Sequence, residues 1–352
     1  MKEKTNYRIV IFLGILGMIS LSTTYYIGAF INKGPLPYFI LGTIIPLFII
    51  SDFLRRTKQY IIPYTLSTIL LGSTSIAFGT TTLGYIARLF GSPHELTLQF
   101  TIGLTALLIA TALITNARGP KLITIDLSQK KPFSNRKERL TIVHLSDIHL
   151  TQHTRINWIH SLVKKVNDLT PDLILFTGDL IDTDPKNIPQ HVQELSKLTA
   201  HYGKFAVSGN HDVITGIDIF YDLCTTLGFT CLDHNQAHVA GITLLGMPDE
   251  LIPTKLLPVS ETKAENTPVI FLKHRPTRFK EAVKAGIHLQ LSGHSHNGQI
   301  PPWGLLVKMR YRQYAYGLHN YKNGHIFTTR GTGIWGPPMR LFGRSEIIKI
   351  TI

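Results

Sequence analysis

The chain has 352 residues, 44% of them hydrophobic, and a formal net charge of +14. That length can hold more than one domain, and a count of two cysteines excludes a disulfide-framework protein. The basic balance suits an anionic partner (nucleic acid, a phosphorylated small molecule or an acidic membrane surface) and says nothing about fold.

The hydrophobic residues are unevenly spread. Up to about Asn116 the sequence is nearly free of charge and contains four long apolar stretches, 9–31, 35–51, 60–87 and 96–117. About 20 apolar residues cross a bilayer, within a range of about 17 to 25. The stretches therefore predict a four-helix N-terminal transmembrane region, 1–117, whose second span is short and contains Pro46. No Asp, Glu, Lys or Arg interrupts a span, which argues against an ion path. Gly72, Ser73, Thr74, Ser75, Gly79, Thr80, Thr81 and Thr82 in the third span point to close helix–helix packing.

Basic residues between the spans alternate between heavy and light clusters. Lys2, Lys4 and Arg8 precede the first, Lys33 stands alone, Arg55, Arg56 and Lys58 cluster, Arg88 stands alone, and Arg118, Lys121, Lys130, Lys131, Arg136, Lys137 and Arg139 follow the fourth. The positive-inside rule then places both termini in the cytoplasm. The expectation is a multi-pass protein of the inner membrane with its soluble half, 118–352, on the cytoplasmic side. A cleaved signal peptide in place of the first span would leave that side unchanged. Loss of the short second span would reverse it.

After a Gly119-Pro120 linker, short apolar runs and helical periodicities alternate. Strands are expected at 122–127, 140–146, 173–177, 205–208, 269–273, 287–291, 325–329 and 346–350, with a hairpin of 237–239 and 242–247 about Gly241. Helices are expected at 156–169, around 191–199 and at 217–227 before Gly228. Such mixed connections imply an α/β sandwich rather than a simple doubly wound sheet. Cys224 and Cys231 read as buried reduced thiols, with a labile bridge as the other reading.

Five motifs follow successive strands: Asp147-x-His149, Gly178-Asp179-x-x-Asp182, Gly209-Asn210-His211-Asp212, His274, and Gly293-His294-x-His296. Each alone is commonplace. Together they supply seven oxygen and nitrogen ligands without sulfur, plus one further histidine. Residues at strand ends on one sheet edge converge in space. The set describes a site for two metals and chemistry on a phosphate ester or anhydride. Asp212 reads as a support for its loop.

As an ordered set these motifs resemble the calcineurin-like metallophosphoesterase superfamily, and more narrowly its membrane-anchored bacterial branch. The resemblance covers 122–352. Where that branch ends its histidine motif GHTHGGQ, this chain has Gly293-His294-Ser295-His296-Asn297-Gly298-Gln299. It implies an α/β/β/α sandwich. It implies that Asp147, His149 and His296 hold one metal, that Asn210, His274 and His294 hold a second, and that Asp179 bridges both. His211, oriented by Asp182, would lie over the substrate. Two divalent cations about 3.5–4 Å apart can generate a bridging hydroxide and stabilise phosphoryl oxygens. The donor set admits Mn, Fe, Zn or Co, with Mn favoured.

Arg275, next to His274, and Arg330 and Arg340, in glycine-rich turns, are the candidate phosphate-binding arginines, because guanidinium groups grip phosphate in a bidentate way. The run from Pro302 to Arg312 mixes Trp303, Leu305, Leu306 and Val307 with Lys308, Arg310 and Arg312, which suits either a membrane interface or core packing. The expected substrate is phosphorylated or pyrophosphate-linked and lipidic. Within the resembled branch one role is hydrolysis of UDP-2,3-diacylglucosamine in lipid A synthesis. The alternatives are a broad phosphodiesterase on nucleotides or phospholipids and, of another class, a metal-binding membrane sensor or scaffold. Tethering to a membrane argues against nucleic acid as the partner. The sequence does not fix an oligomeric state.

Overall fold

The computed structural model describes residues 61–136, 138–249 and 267–352. The expected spans 9–31 and 35–51 lie outside the described residues. The other two are present as α1 (Ile61–Leu89) and α2 (His94–Ala117). Both are long and apolar enough to cross a membrane, with mean hydropathies of 1.3 and 1.9 over their apolar segments. Of the four-span expectation, therefore, two apolar helices stand among the described residues.

By packing the chain forms two units. The first contains α1 and α2 together with Gln299–Gly304 and Gly336–Gly343. Ile76, Ala112, Ile300 and Met339 make its small core. The hydroxyls of this unit are absorbed locally. Thr74, Ser75, Thr81 and Thr82 each donate to a carbonyl four residues back, which satisfies them without water. Thr80 meets Thr105 across the helix pair at 2.6 Å, and a side chain at Gly84 would collide with Thr101 Oγ1. The small residues thus let the two backbones approach. Leu66, Leu83, Phe100, Ile102 and Leu107 point outward and are exposed.

The second unit, Arg118–Gly298, Leu305–Trp335 and Arg344–Ile352, is an α/β sandwich. Its strands are β1 (Lys121–Asp126), β2 (Thr141–Leu145), β3 (Leu173–Thr177), β4 (Lys204–Val207), β5 (Phe229–Cys231), β6 (Gln236–Val239), β7 (Ile242–Met247), β8 (Val269–Lys273), β9 (Leu289–Ser292), β10 (Gly317–Tyr321), β11 (Gly324–Thr328) and β12 (Glu346–Thr351). They form two six-stranded mixed sheets, ordered β1-β12-β2-β3-β4-β5 and β10-β11-β9-β8-β7-β6. The central pairs β2–β3, β3–β4, β7–β8 and β8–β9 are parallel.

Alternation along the central strands produces the layers. Ile142, Leu173, Leu175 and Val207 face Leu244, Ile270, Leu272 and Leu291 of the second sheet in one core. Their neighbours Val143, Leu145, Ile174 and Phe176 face the other way, as the two-residue period of a strand requires. There they pack on α3 (Ile156–Asn167), through Ile159, Leu162, Val163 and Val166, and on α6 (Ile217–Thr226), through Phe220 and Leu223. The short α4 (Pro189–Leu195) adds Leu195, and the short α5 (Asn210–Thr215) follows β4. On the far side Leu245, Met247, Val269 and Phe271 pack with Ala282 of α7 (Phe279–Lys284). The order is helices, sheet, sheet, helix. Being covered on both faces, β3, β7 and β8 are buried along their whole length rather than alternating, and are mostly apolar.

This topology positions the motifs. The ends of β2, β3, β4, β8 and β9 run directly into Asp147, Asp179, Asn210, His274 and His294. Beyond β2 and β3 the two loops continue side by side: Asp147 N–H donates to Gly178 O at 2.9 Å, His149 N–H to Asp179 O at 3.0 Å and Leu150 N–H to Leu180 O at 2.9 Å.

Candidate metal centre

The site grows from these strand ends. Asp147, His149, Asp179, His294 and His296 all have left-handed backbones, with φ between 45° and 65°. Non-glycine residues seldom sit there, and such strain persists only where the surroundings enforce it. Each of these turns re-aims a side chain from the strand direction into the crevice.

Asp179 is at the centre. Its Oδ1 accepts the His211 N–H at 2.8 Å. Its Oδ2 lies 3.2 Å from His274 Nε2 and 3.6 Å from His149 Nε2, so one carboxylate oxygen faces two groups of donors. On one side, His149 Nε2 lies 3.1 Å from His296 Nε2, which is 3.5 Å from Asp147 Oδ1. On the other, His274 Nε2 lies 3.2 Å from Asn210 Oδ1 and 3.2 Å from His294 Nδ1. Ligands about 2.0–2.2 Å from a common cation are separated by roughly 3.0–3.5 Å from one another. The clusters Asp147–His149–His296 and Asp179–His274–His294 therefore have the spacing of coordination shells and could each hold a metal ion. A third grouping, His149–Asp179–His211, shares two of its members with them.

The surrounding contacts fix how the rings present their nitrogens. His274 Nδ1–H donates to the Thr177 carbonyl at 2.7 Å, which leaves Nε2 as the ring nitrogen that faces Asp179. His149 Nδ1 lies 3.2 Å from Asp182 Oδ1, and His211 Nδ1 lies 2.8 Å from the same oxygen. One buried carboxylate thus orients two histidines, as outer-shell carboxylates do at metal sites. Asp147 accepts the His294 N–H at 2.9 Å.

The electrostatics have the same sense. Burial opposes charge on His149, but the carboxylates of Asp182, Asp179 and Asp147 outweigh it and raise the ring to about 9. Burial likewise opposes charge on His274, and Asp179 with its neighbours lifts it to about 10. Burial also works against the Asp179 anion, and His274, His149 and His211 overcome it, holding the carboxyl well below its ordinary range. Burial together with the positive charge of His274 pushes His294 well below an ordinary imidazole, in the form that can ligate. The cluster is a concentration of negative charge that calls for cations.

Asp212, left out of the candidate ligands, closes the loops. Its carboxylate accepts four backbone N–H groups: Asp179 at 2.7 Å, Gly209 at 2.8 Å, Leu180 at 2.9 Å and Ile181 at 3.1 Å. Burial and the nearby Asp179 raise it to about 7, against the opposing pull of those N–H donors.

Two glycines are required by proximity. A side chain at Gly209 would overlap the Asp179 carboxylate, and one at Gly293 would overlap Ser146 Oγ and Asp147 Oδ2. Gly293→Ala is therefore expected to lose metal binding and to lower the thermal midpoint. Differential scanning fluorimetry with metal analysis checks this, and wild-type values for both would contradict the packing described here.

The three candidate arginines part company. Arg275, adjacent to His274, is tied by Nη2 to buried Asp249 at 3.0 Å and remains about a quarter exposed, 27%. Arg330 instead stacks on the Tyr316 ring at 3.8 Å and pairs with buried Glu346 at 3.3 Å. Arg340 is buried, with its N–H on Ala112 O at 3.0 Å in the first unit. Arg330 and Arg340 sit in glycine-rich turns as expected, and both side chains are built into packing. Two aromatic residues do lie there without having been singled out. Trp335 meets the His211 ring at 6.0 Å and Tyr311 meets the His294 ring at 5.9 Å. Trp335 carries no mark in the sequence, and Tyr311 was legible only as part of the amphiphilic run from Pro302 to Arg312.

Comparison with known proteins agrees with this geometry. Residues 140–298 match the calcineurin-like phosphoesterase family model. The chain is 31% identical over 259 residues to an uncharacterized metallophosphoesterase of Campylobacter jejuni, covering 71% of this chain and 68% of that one. It is 31% identical over 230 residues to the uncharacterized metallophosphoesterase YkuE of Bacillus subtilis, covering 60% and 78%. A Danio rerio protein named as a transmembrane protein with a metallophosphoesterase domain is 30% identical over 268 residues, 71% of this chain and 61% of its own length. The chain belongs to the calcineurin-like metallophosphoesterase family.

Proposed function

We propose that this is a membrane-bound, metal-dependent phosphohydrolase that cleaves a phosphoester or pyrophosphate bond in an amphiphilic, lipid-linked substrate. The observation that carries the reading is the position of Asp179 Oδ2, which faces two sets of donors at once. Asp147, His149 and His296 would hold one cation, Asn210, His274 and His294 would hold a second, and Asp179 would serve both. Mn is the favoured metal, and Fe, Zn or Co suit the same donors. Bound there, two divalent cations supply Lewis-acid stabilisation of phosphoryl oxygens and lower the pKa of a water at the site.

The remaining steps belong to side chains. Asp182 holds His211 through Nδ1 and leaves Nε2 free to give a proton to the departing oxygen. Arg275, paired with Asp249 and next to His274 in the chain, would donate to a phosphate oxygen. The apolar α1 and α2 support the membrane half of the reading, as does the likeness to the Danio rerio protein. UDP-2,3-diacylglucosamine is one substrate of the proposed class, with the site on the cytoplasmic face of the inner membrane.

Chelator-stripped protein resupplied with Mn²⁺ should hydrolyse bis-p-nitrophenyl phosphate. Absence of hydrolysis, or equal rates for wild type and Asn210→Ala, would leave only the sensor or scaffold reading. A panel of phospho- and pyrophospholipids then tests the substrate class by mass spectrometry, and cleavage of soluble nucleotides alone removes the lipid. His211→Ala should lower kcat about 10²–10⁴-fold for an alkyl ester, whose leaving oxygen needs a proton. The same change should matter about tenfold or less for a p-nitrophenyl ester, whose phenolate departs unaided. Equal losses on both would assign His211 to binding rather than proton donation.

A further inference from the structure

The amphiphilic run that begins at Pro302 is not absorbed by the chemistry above. It forms α8 (Trp303–Tyr311). Core packing would bury its large apolar side chains, yet Leu305, Leu306 and Met309 are 65%, 52% and 70% exposed. With about 100° per residue, Leu305, Met309 and Leu306 fall on one face of the helix, spanning roughly a quarter to a third of its circumference. Lys308 borders that face on one side and Arg310 on the other, and Arg312 follows the last turn; all three are exposed. The opposite face holds the part-buried Val307 and Tyr311, and it is Tyr311 that meets His294. One face of the helix is thus anchored against the site, while the other presents an apolar strip edged by cations.

We propose that α8 lies in an anionic lipid surface, with Leu305, Leu306 and Met309 in the acyl boundary and Lys308, Arg310 and Arg312 on lipid phosphates. Two observations select this occupant. The strip is flanked by positive charge on both sides, the arrangement that lets basic side chains reach up to headgroups while apolar ones descend. The same chain carries two helices long and apolar enough to cross a bilayer, so a lipid surface lies within covalent reach. The proposal rests on the membrane half of the proposed function and not on its bond-breaking chemistry. Its consequence for function is positional: the residue that ends α8 touches the site, so a helix held in the headgroup layer would bring His294 and its neighbours to lipid phosphates.

The test uses the full chain in nanodiscs, in a Cys224→Ala, Cys231→Ser background, with a nitroxide attached at Met309→Cys or, as a control on exposed α3, at Lys165→Cys. Discs are made of phosphatidylcholine alone or with phosphatidylglycerol at about three to one. In the anionic discs, access of a water-soluble nickel chelate to the label at 309 should fall at least about fivefold relative to 165, while oxygen access rises. Lys308→Glu, Arg310→Glu and Arg312→Glu together should restore chelate access. Equal chelate access at both positions in both discs would overturn the proposal. So would shielding of 309 from chelate and oxygen alike, which would mean a protein partner such as a second copy, or immersion that ignores both lipid charge and charge reversal. Hydrolysis of bis-p-nitrophenyl phosphate in the same discs shows that each variant is folded. It also separates failure of the lipid contact from failure of the enzymatic reading, because that substrate is soluble.

Discussion

Asp179→Asn is expected to reduce hydrolysis at least about a thousandfold and to strip the protein of both metal ions while leaving it folded. The substitution keeps the size of the side chain and one oxygen, so the His211 N–H retains a partner for the 2.8 Å contact now made to Oδ1. What it removes is the charge on the oxygen shared by the two donor groups, 3.2 Å from His274 Nε2 and 3.6 Å from His149 Nε2. The Asp179–His274–His294 cluster would lose a member, and the Asp147–His149–His296 cluster would lose a charged oxygen 3.6 Å from His149 Nε2. Loss at one position of the pair would leave a half-filled site, which is why the effect should exceed that of altering His296 or Asn210 alone. Metal analysis, activity and a melting curve on the same sample check the three parts of this expectation. Two retained metal equivalents with wild-type activity would contradict it.

Asp212→Ala should do the reverse, unfolding the site before it alters the chemistry. Four backbone N–H groups end on that one carboxylate. A buried donor left without an acceptor costs about 1–3 kcal/mol, and the loops can relax to recover part of the sum. A net loss of about 3–5 kcal/mol is expected, in the range seen when one partner of a buried charged contact is removed. For a domain of this size that corresponds to a drop in the melting midpoint of roughly 10 °C. Asp212→Asn should fall between, because it keeps one acceptor oxygen but turns an amide donor towards the remaining N–H groups. Thermal unfolding in detergent measures both, and an Asp212→Ala midpoint within about 2 °C of wild type would exclude the loop-clasp role.

The contrast between these two aspartates shows what the sequence could and could not convey. Asp147, Asp179, Asn210, His274 and His294 were legible because each follows an apolar strand, and strand ends on one edge of a sheet converge whatever the loops do. Their glycine neighbours announced close backbone approach, which Gly209 and Gly293 display. The four N–H groups that meet at Asp212 come from two separate loops, a convergence for which a linear pattern has no mark. The packing partners of Arg330 and Arg340 were hidden for a related reason. Composition placed Arg330 and Arg340 in glycine-rich turns near the end of the chain, but whether a guanidinium faces solvent depends on partners far away in sequence. Glu346 and Tyr316 take Arg330, and the packing of the first unit encloses Arg340.

The same limit governs the secondary structure. Strands buried on both faces, such as β3 and β8, read clearly as short apolar runs, at 173–177 and 269–273 in both sequence and structure. The edge strand β10, Gly317–Tyr321, alternates exposed and part-buried residues and includes His319 and Asn320, so it lacks that signature. The three-residue β5 is too short to show any period. For α8 the sequence offered two readings of one pattern, core or interface, and only the exposure of Leu305, Leu306 and Met309 separates them.

The central claim is that the donors around Asp179 hold two cations close together. Electron paramagnetic resonance of the metal-stripped protein titrated with Mn²⁺ tests it most directly, because two Mn²⁺ ions about 3.5–4 Å apart couple magnetically. The two-metal site requires that the six-line signal of isolated Mn²⁺ give way to the spectrum of a coupled pair as the second equivalent binds, and that Asp179→Asn abolish the coupled spectrum. A persistent six-line signal saturating at one equivalent, with full hydrolytic activity, would contradict it.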